Sequence, residues 1–142
     1  MEAVLQFKEY HVINTIYRYN PFANSDTNEL SPIFEFLLEI GEENNAWVTL
    51  GIELGDPEVK ETNFYAYASI IGLFEIKSDE QISEETKDHF FRVNSVAIMY
   101  PYLRSIISDL SGKGSEPPII LPTVNIIELM KTQNDENKKV SD

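Results

Sequence analysis

Phe34-Glu35-Phe36-Leu37-Leu38-Glu39-Ile40, the short linker Gly41 to Asn45, and Ala46-Trp47-Val48-Thr49-Leu50-Gly51-Ile52-Glu53-Leu54 decide the fold. Phe34, Phe36, Leu38 and Ile40 alternate with Glu35 and Glu39, the pattern of a strand with one buried and one wet face. Ala46, Val48, Leu50, Ile52 and Leu54 repeat it, so the two runs predict an antiparallel hairpin. Pairing Ile40 with Ala46 places Trp47 opposite Glu39 on the nominally polar face. A large aromatic there is out of place for a purely solvated sheet.

Outward from this hairpin, Val4 to Tyr19 is rich in Val, Ile, Tyr and Thr, lacks Gly and Pro, and ends at Asn20-Pro21. It predicts a long first strand whose imperfect alternation calls for a bulge. Gly55-Asp56-Pro57 breaks the third strand, and Phe64 to Ile76 forms a fourth that is apolar on both faces. Such a strand lies between two layers or presents a sticky surface.

The period then changes. Ser83 before Glu84 and Glu85 predicts a helix start, with acids facing the positive end of the dipole. Val96, Tyr100, Leu103, Ile107 and Leu110 form a helical apolar stripe, assigned as core or as an oligomer interface. Pro101 inside it predicts a kink or restart near Asn94 and Ser95, and Gly112 supplies the stop. Pro117, Pro118 and Pro122 brace Ile119-Ile120-Leu121 in an extended stretch. Asn125 with Glu128 predicts a capping box for a last helix through Ile126, Ile127, Leu129 and Met130. Residues 1–130 read as one domain and 131–142 as a polar, disordered tail.

The chain has 142 residues, 24 Asp and Glu against 11 Lys and Arg, a formal charge of −13 and no cysteine. That charge is repelled by nucleic acid and by anionic membranes, and it favours a basic polypeptide as partner. Without cysteine there is no disulfide, thiolate metal site or thiol catalysis. No apolar run approaches the ~18 residues of a membrane helix, so membrane insertion is not expected and a cytoplasmic protein is. Acid pairs such as Glu84-Glu85 and Asp79-Glu80 read as solvated charge. His11 and His89 have no nucleophile in a recognisable setting, and Gly112-Lys113-Gly114 lacks the spacing of a phosphate loop. The sequence therefore predicts no catalytic residue, no metal, no cofactor and no enzyme.

Trp47, Tyr65, Tyr67, Ile119, Ile120, Leu121, Ile126 and Ile127 are the candidate polypeptide contacts. Aromatics set among acids suit extended, apolar and basic segments, with burial worth ~25 cal/mol per Å² and charge aiding encounter. The competing reading makes the same aromatics the assembly surface of an oligomeric adaptor.

Met99-Tyr100-Pro101-Tyr102-Leu103-Arg104, Ser111-Gly112-Lys113-Gly114 and Pro118-Ile119-Ile120-Leu121-Pro122-Thr123-Val124-Asn125 resemble the signature of the SecB export chaperones. Gly72-Leu73-Phe74 also resembles the end of that family's fourth strand. The resemblance implies an α+β fold, a four-stranded antiparallel sheet followed by two or three helices on one face. It implies a homo-oligomer, a tetramer built as a dimer of dimers, that holds unfolded polypeptides without ATP and delivers them to the motor ATPase SecA. The acidic positions through which family members meet the motor fall on Ile16, Asn20 and Tyr67, none acidic. Glu35, Glu39 and Glu53 are the sheet acids left for partner docking. SecB-like chaperones that protect the antitoxin of a toxin-antitoxin system offer an antitoxin as the alternative client.

Overall fold

A computed structural model describes residues 3–23, 31–122 and 128. Four strands, β1 (Val4–Tyr19), β2 (Ile33–Ile40), β3 (Asn45–Gly55) and β4 (Phe64–Lys77), form one antiparallel sheet in the order β1-β4-β3-β2. The hairpin has the register its alternation predicts, with Ile40 opposite Ala46 and Glu39 opposite Trp47. A slip by one residue would turn every core side chain of β2 outward, so burial pins the register.

β1 carries two irregularities, between Phe7 and Glu9 and between Val12 and Asn14. Lys8 and Ile13 are the extra residues, and each reverses the facing of the residues after it. The imperfect alternation of β1 thus has its cause in two bulges. β4 pairs with β1 and β3, and its two faces differ: Ala66, Ala68, Ile70 and Phe74 enter the core, whereas Tyr65, Tyr67, Ile71 and Leu73 face the other side, where Tyr67, Ile71 and Leu73 keep accessible surface.

One helical run covers the inner face. α1 (Glu84–His89) starts at Ser83, whose hydroxyl caps the Thr86 N–H at 3.1 Å. A single π-helical turn, Phe90–Asn94, comes next, and then α2 (Ser95–Ser111). The break comes where the sequence predicts, at Asn94 and Ser95, and its chemistry is local. The Ser95 N–H bonds the Phe90 carbonyl, one residue beyond the α-helical partner, and the buried Ser95 hydroxyl takes the freed Phe91 carbonyl. Ser95→Ala should therefore strand a buried carbonyl and cost about 1–3 kcal/mol. Chemical denaturation checks this, and Ser95→Thr should retain most of the stability. Pro101 is accommodated within α2 on its exposed side.

α2 packs on β4, β3 and β1. Val96, Met99, Leu103 and Ile107 are fully buried against Val48, Leu50, Ile52, Ala68, Ile70 and Phe74. Gly72 makes close packing possible, because a Cβ there would lie 2.9 Å from the Phe7 ring and 3.3 Å from Met99 Sδ. Gly112 ends α2, with φ of −95° and its N–H on the Ser108 carbonyl. Its glycine serves contact rather than a left-handed turn: a Cβ would sit 3.1 Å from Pro118. α1 buries nothing of its own, so among the described residues α2 and the π turn make the helical layer over the core. Of the last helix expected from Asn125 to Met130, only Glu128 is described, and it is helical. Asn125, Ile126, Ile127 and the 131–142 tail lie outside the described residues.

Candidate binding surfaces

The register lays the outer sheet face out in rows across all four strands. Glu39, Trp47, Leu73 and Glu9 form one row and Leu37, Thr49, Ile71 and His11 the next. Glu35, Gly51, Ser69 and Asn14 form a third, and Ile33, Glu53, Tyr67 and Ile16 a fourth. Residues opposite one another share a face, so an apolar centre of Leu37, Trp47, Ile71 and Leu73 is edged by Glu39, Glu9 and Glu35. Trp47 is half-buried, with the His11 ring 6.4 Å away, and Leu37 is exposed.

Two of the three candidate docking acids, Glu53 and Glu35, are engaged with tyrosines. Tyr65 donates to Glu53 Oε2 at 2.8 Å, and the Arg18 guanidinium lies 5.7 Å above its ring. Glu35 and Tyr67 make the equivalent pair, and burial followed by that bond raises the Tyr67 pKa. Gly51 allows it, since a Cβ there would meet Glu35 Oε1 at 2.9 Å. Glu39 stays exposed opposite Trp47.

Burial, then the bond to Glu53, pushes the Tyr65 phenol up to about 12 from its ordinary 10.0. The folded state therefore favours the neutral phenol. Ionising the phenol is thus harder in the fold than in the unfolded chain, and stability is lost as pH rises from ~10 to ~12. Stability measured across that window should fall steeply, and Tyr65→Phe should flatten the fall.

The second surface is a strap, residues 117–122, laid along α2. Four side chains of α2, spaced by four, four and three, hold it. Tyr100 OH donates to the Pro122 carbonyl at 2.9 Å and Arg104 Nε to the Leu121 carbonyl at 3.0 Å. The Ser108 hydroxyl donates to the Ile119 carbonyl at 2.9 Å, and Ser111 Oγ accepts the Ile119 N–H at 2.7 Å. Tyr19 adds a tether from β1, its hydroxyl donating to Glu116 at 2.9 Å. This polar ladder is absent from the sequence reading, although residues able to hydrogen-bond at 100, 104, 108 and 111 fall on one helix face.

The strap and β2 both approach Tyr100 of α2. Phe34, Phe36 and Leu38 of β2 are only half-buried, and the Phe34 ring lies 6.3 Å from Tyr100. Beyond them, Ile40, Phe91 and the α1 residues Glu84, Glu85, Lys87 and Asp88 line an open cleft of about 560 Å³.

The structure separates the candidate contacts. Trp47, Tyr67, Ile119 and Ile120 keep accessible surface, Ile120 most of all. Tyr65 is 6 % exposed and Leu121 1 %; the first is enclosed by Glu53 and Arg18, and the second is drawn into the core by the ladder. Val96, Leu103 and Ile107 are completely buried and Tyr100 nearly so. Their surface is already spent within one chain, so in this fold they are core rather than subunit contact, while Leu110 is half-buried. Apolar surface remains instead on Val4, Tyr10, Val12 and Ile13 of edge strand β1. The Tyr10 ring meets Tyr102 of α2 at 4.8 Å, a contact the sequence reading did not single out. Among the described residues no helix is long and apolar enough to cross a membrane.

The family profile described as preprotein translocase subunit SecB matches residues 27–137. An uncharacterised protein of Methanocaldococcus jannaschii is 32 % identical over 106 residues, 68 % of this chain and 66 % of that protein. A protein-export protein SecB of Alcanivorax borkumensis is 26 % identical over 98 residues, 69 % of this chain and 60 % of the relative. One from Orientia tsutsugamushi, strain Boryong, is 25 % identical over 138 residues, 96 % of this chain and 82 % of the relative. The chain thus spans less than two thirds of the length of the first two relatives. A solved structure of a Mycobacterium tuberculosis SecB-like chaperone, in complex with a peptide from the HigA1 antitoxin, has a TM-score of 0.66 at 17 % identity. It matches over 84 % of this chain and 90 % of that one.

A four-stranded antiparallel sheet with a helical run interrupted by a π turn on one face and an apolar strap along it is thus an α+β, SecB-like fold. The chain belongs to the SecB family.

Proposed function

We propose that this chain is an ATP-independent holding chaperone, not an enzyme, that binds unfolded or non-native polypeptides in the cytoplasm. Family membership supports the class of activity. The observation that carries the reading is apolar surface left accessible on two elements, the half-buried Phe34, Phe36 and Leu38 of β2 and the exposed Ile120 of the strap, with Tyr100 near Phe34 and bonded to the Pro122 carbonyl. An extended client would contact Ile119 and Ile120 there, with Ile126 and Ile127 following in sequence. Trp47 and Tyr67 offer a second contact on the outer face, with Glu35, Glu39 and Glu53 drawing basic segments. Assembly into a homo-oligomer, a dimer of dimers, would use the apolar surface of β1 and Tyr102.

Aggregation of a chemically unfolded client tests this reading. Added chain should suppress light scattering without nucleotide, and Ile120→Ser should weaken the effect while leaving the oligomer intact. No suppression at excess chain would refute it.

Delivery to SecA is the export form of this function. A dedicated antitoxin client is the second, supported by the peptide held by the Mycobacterium tuberculosis neighbour and by the non-acidic Ile16, Asn20 and Tyr67. Binding to purified SecA separates the two, since a dedicated chaperone would show none.

A further inference from the structure

The apolar centre of the outer sheet face has a histidine at its margin. His11 of β1 stands opposite Ile71 of β4, and its Nε2 lies 2.8 Å from Glu9 Oε2, with both side chains open to solvent. Its ring also comes within 6.4 Å of Trp47, across the β4 strand that separates β1 from β3. The opposed and diagonal positions carry no other base: Ser69 and Leu73 flank Ile71 on β4, Thr49 and Trp47 face it from β3, and Leu37 follows on β2. The acids at the edge are Glu9, Glu39 and Glu35, the last bonded to Tyr67. Further along β4, Lys77 at 2.6 Å and Lys8 both act on Glu75. The partner of Glu9 is therefore an imidazole, the side chain that takes up charge between about pH 8 and about pH 5 while lysines keep theirs.

We propose that His11 is a proton-operated switch that loosens the docking of basic, apolar-centred polypeptides on the outer face. While it is neutral, Glu9 stays charged beside the patch of Leu37, Trp47, Ile71 and Leu73. Once protonated, it neutralises Glu9 and puts a cation next to Trp47, so an arriving lysine meets an imidazolium where it had met a carboxylate. The inference rests on the polypeptide-binding reading of this face and adds its regulation. The occupant follows from charge: Glu9, Glu35 and Glu39 edge the patch on a chain of net charge −13, which attracts a basic partner and repels a second copy with the same edge. The two states differ in charge and not in fold, because both side chains are exposed and neither belongs to the core cluster. Linkage makes the effect reciprocal: a docked basic partner disfavours the imidazolium, so docking expels the proton.

The probe is a short synthetic peptide with a Val-Leu centre and lysines at both ends, capped at its termini so that it does not titrate in the window, added to the full chain at low salt. Calorimetry reads its affinity, and the emission of Trp47, the single tryptophan, reports whether it lies on this face. Binding should be about fivefold weaker at about pH 5.5 than at about pH 7.5. His11→Gln should bind alike at both, within about twofold, whereas His89→Gln should keep the natural loss. Raising the salt to about 1 M should remove the difference in the natural chain, a reading that needs no variant. A difference that survives high salt, an equal loss in His11→Gln, or no loss in the natural chain overturns the switch and leaves polypeptide binding standing. Saturation with unchanged Trp47 emission places the peptide elsewhere and overturns the switch as well. No binding at either pH overturns both. Trp47 emission that changes with chain concentration in the absence of peptide assigns the patch to a second copy and overturns the proposal.

Discussion

Phe91→Ala should lower the free energy of unfolding by about 3–5 kcal/mol, a large share of the roughly 5–15 kcal/mol that holds a domain together. Phe91 is completely buried and belongs to the core cluster. It is also the residue of the π turn whose carbonyl Ser95 satisfies. Truncation removes the ring and leaves a void under the π turn between α1 and α2, where the surroundings relax only partly. Phe91→Leu fills most of that void and should cost about half as much or less. Urea titration of both variants measures the difference. A loss below about 1 kcal/mol for Phe91→Ala would mean that the π turn is held by the backbone alone.

The second large effect concerns holding. Trp47→Ala should weaken binding of an unfolded client by about 2 kcal/mol, or about thirtyfold, because a half-open aromatic within an apolar surface is the usual form of a binding hot spot. Trp47 is only half-buried and lies on the sheet face opposite the helices. Its loss should therefore change the melting temperature far less than Phe91→Ala does. Fluorescence anisotropy with a labelled unfolded polypeptide reads the affinity. Unchanged affinity would confine client contact to the strap and the inner face of β2.

Much of the fold was legible in the sequence for a physical reason. Strands with one buried face carry a period of two that permits only one register, so the opposition of Glu39 and Trp47 could be read directly. The helix start at Ser83 was legible because capping is local; the interruption lies near Asn94 as expected, but it is made by the π turn and Ser95, while Pro101 sits within α2. The surfaces were less so. An apolar helical stripe looks the same whether it meets its own sheet or another subunit, and Val96, Leu103 and Ile107 turned out to be spent on the sheet. Leu121 and Ile120 are adjacent aliphatics in one proline-braced run, yet one is 1 % exposed and the other 69 %. The ladder of Tyr100, Arg104, Ser108 and Ser111 separates them, and it only becomes a signal once the strap is known to run along α2. Tyr65 was hidden in the same way, by partners on β3 and β1 that are distant in sequence.

Selective recognition of the non-native state is the central claim, and calorimetric titration of the chain with one polypeptide in two forms tests it most directly. One form is natively folded, and the other is held permanently unfolded by removal of its stabilising disulfides. The account predicts saturable binding of the unfolded form without nucleotide and no binding of the folded one. Equal affinity for both forms, or no binding of either, would contradict it.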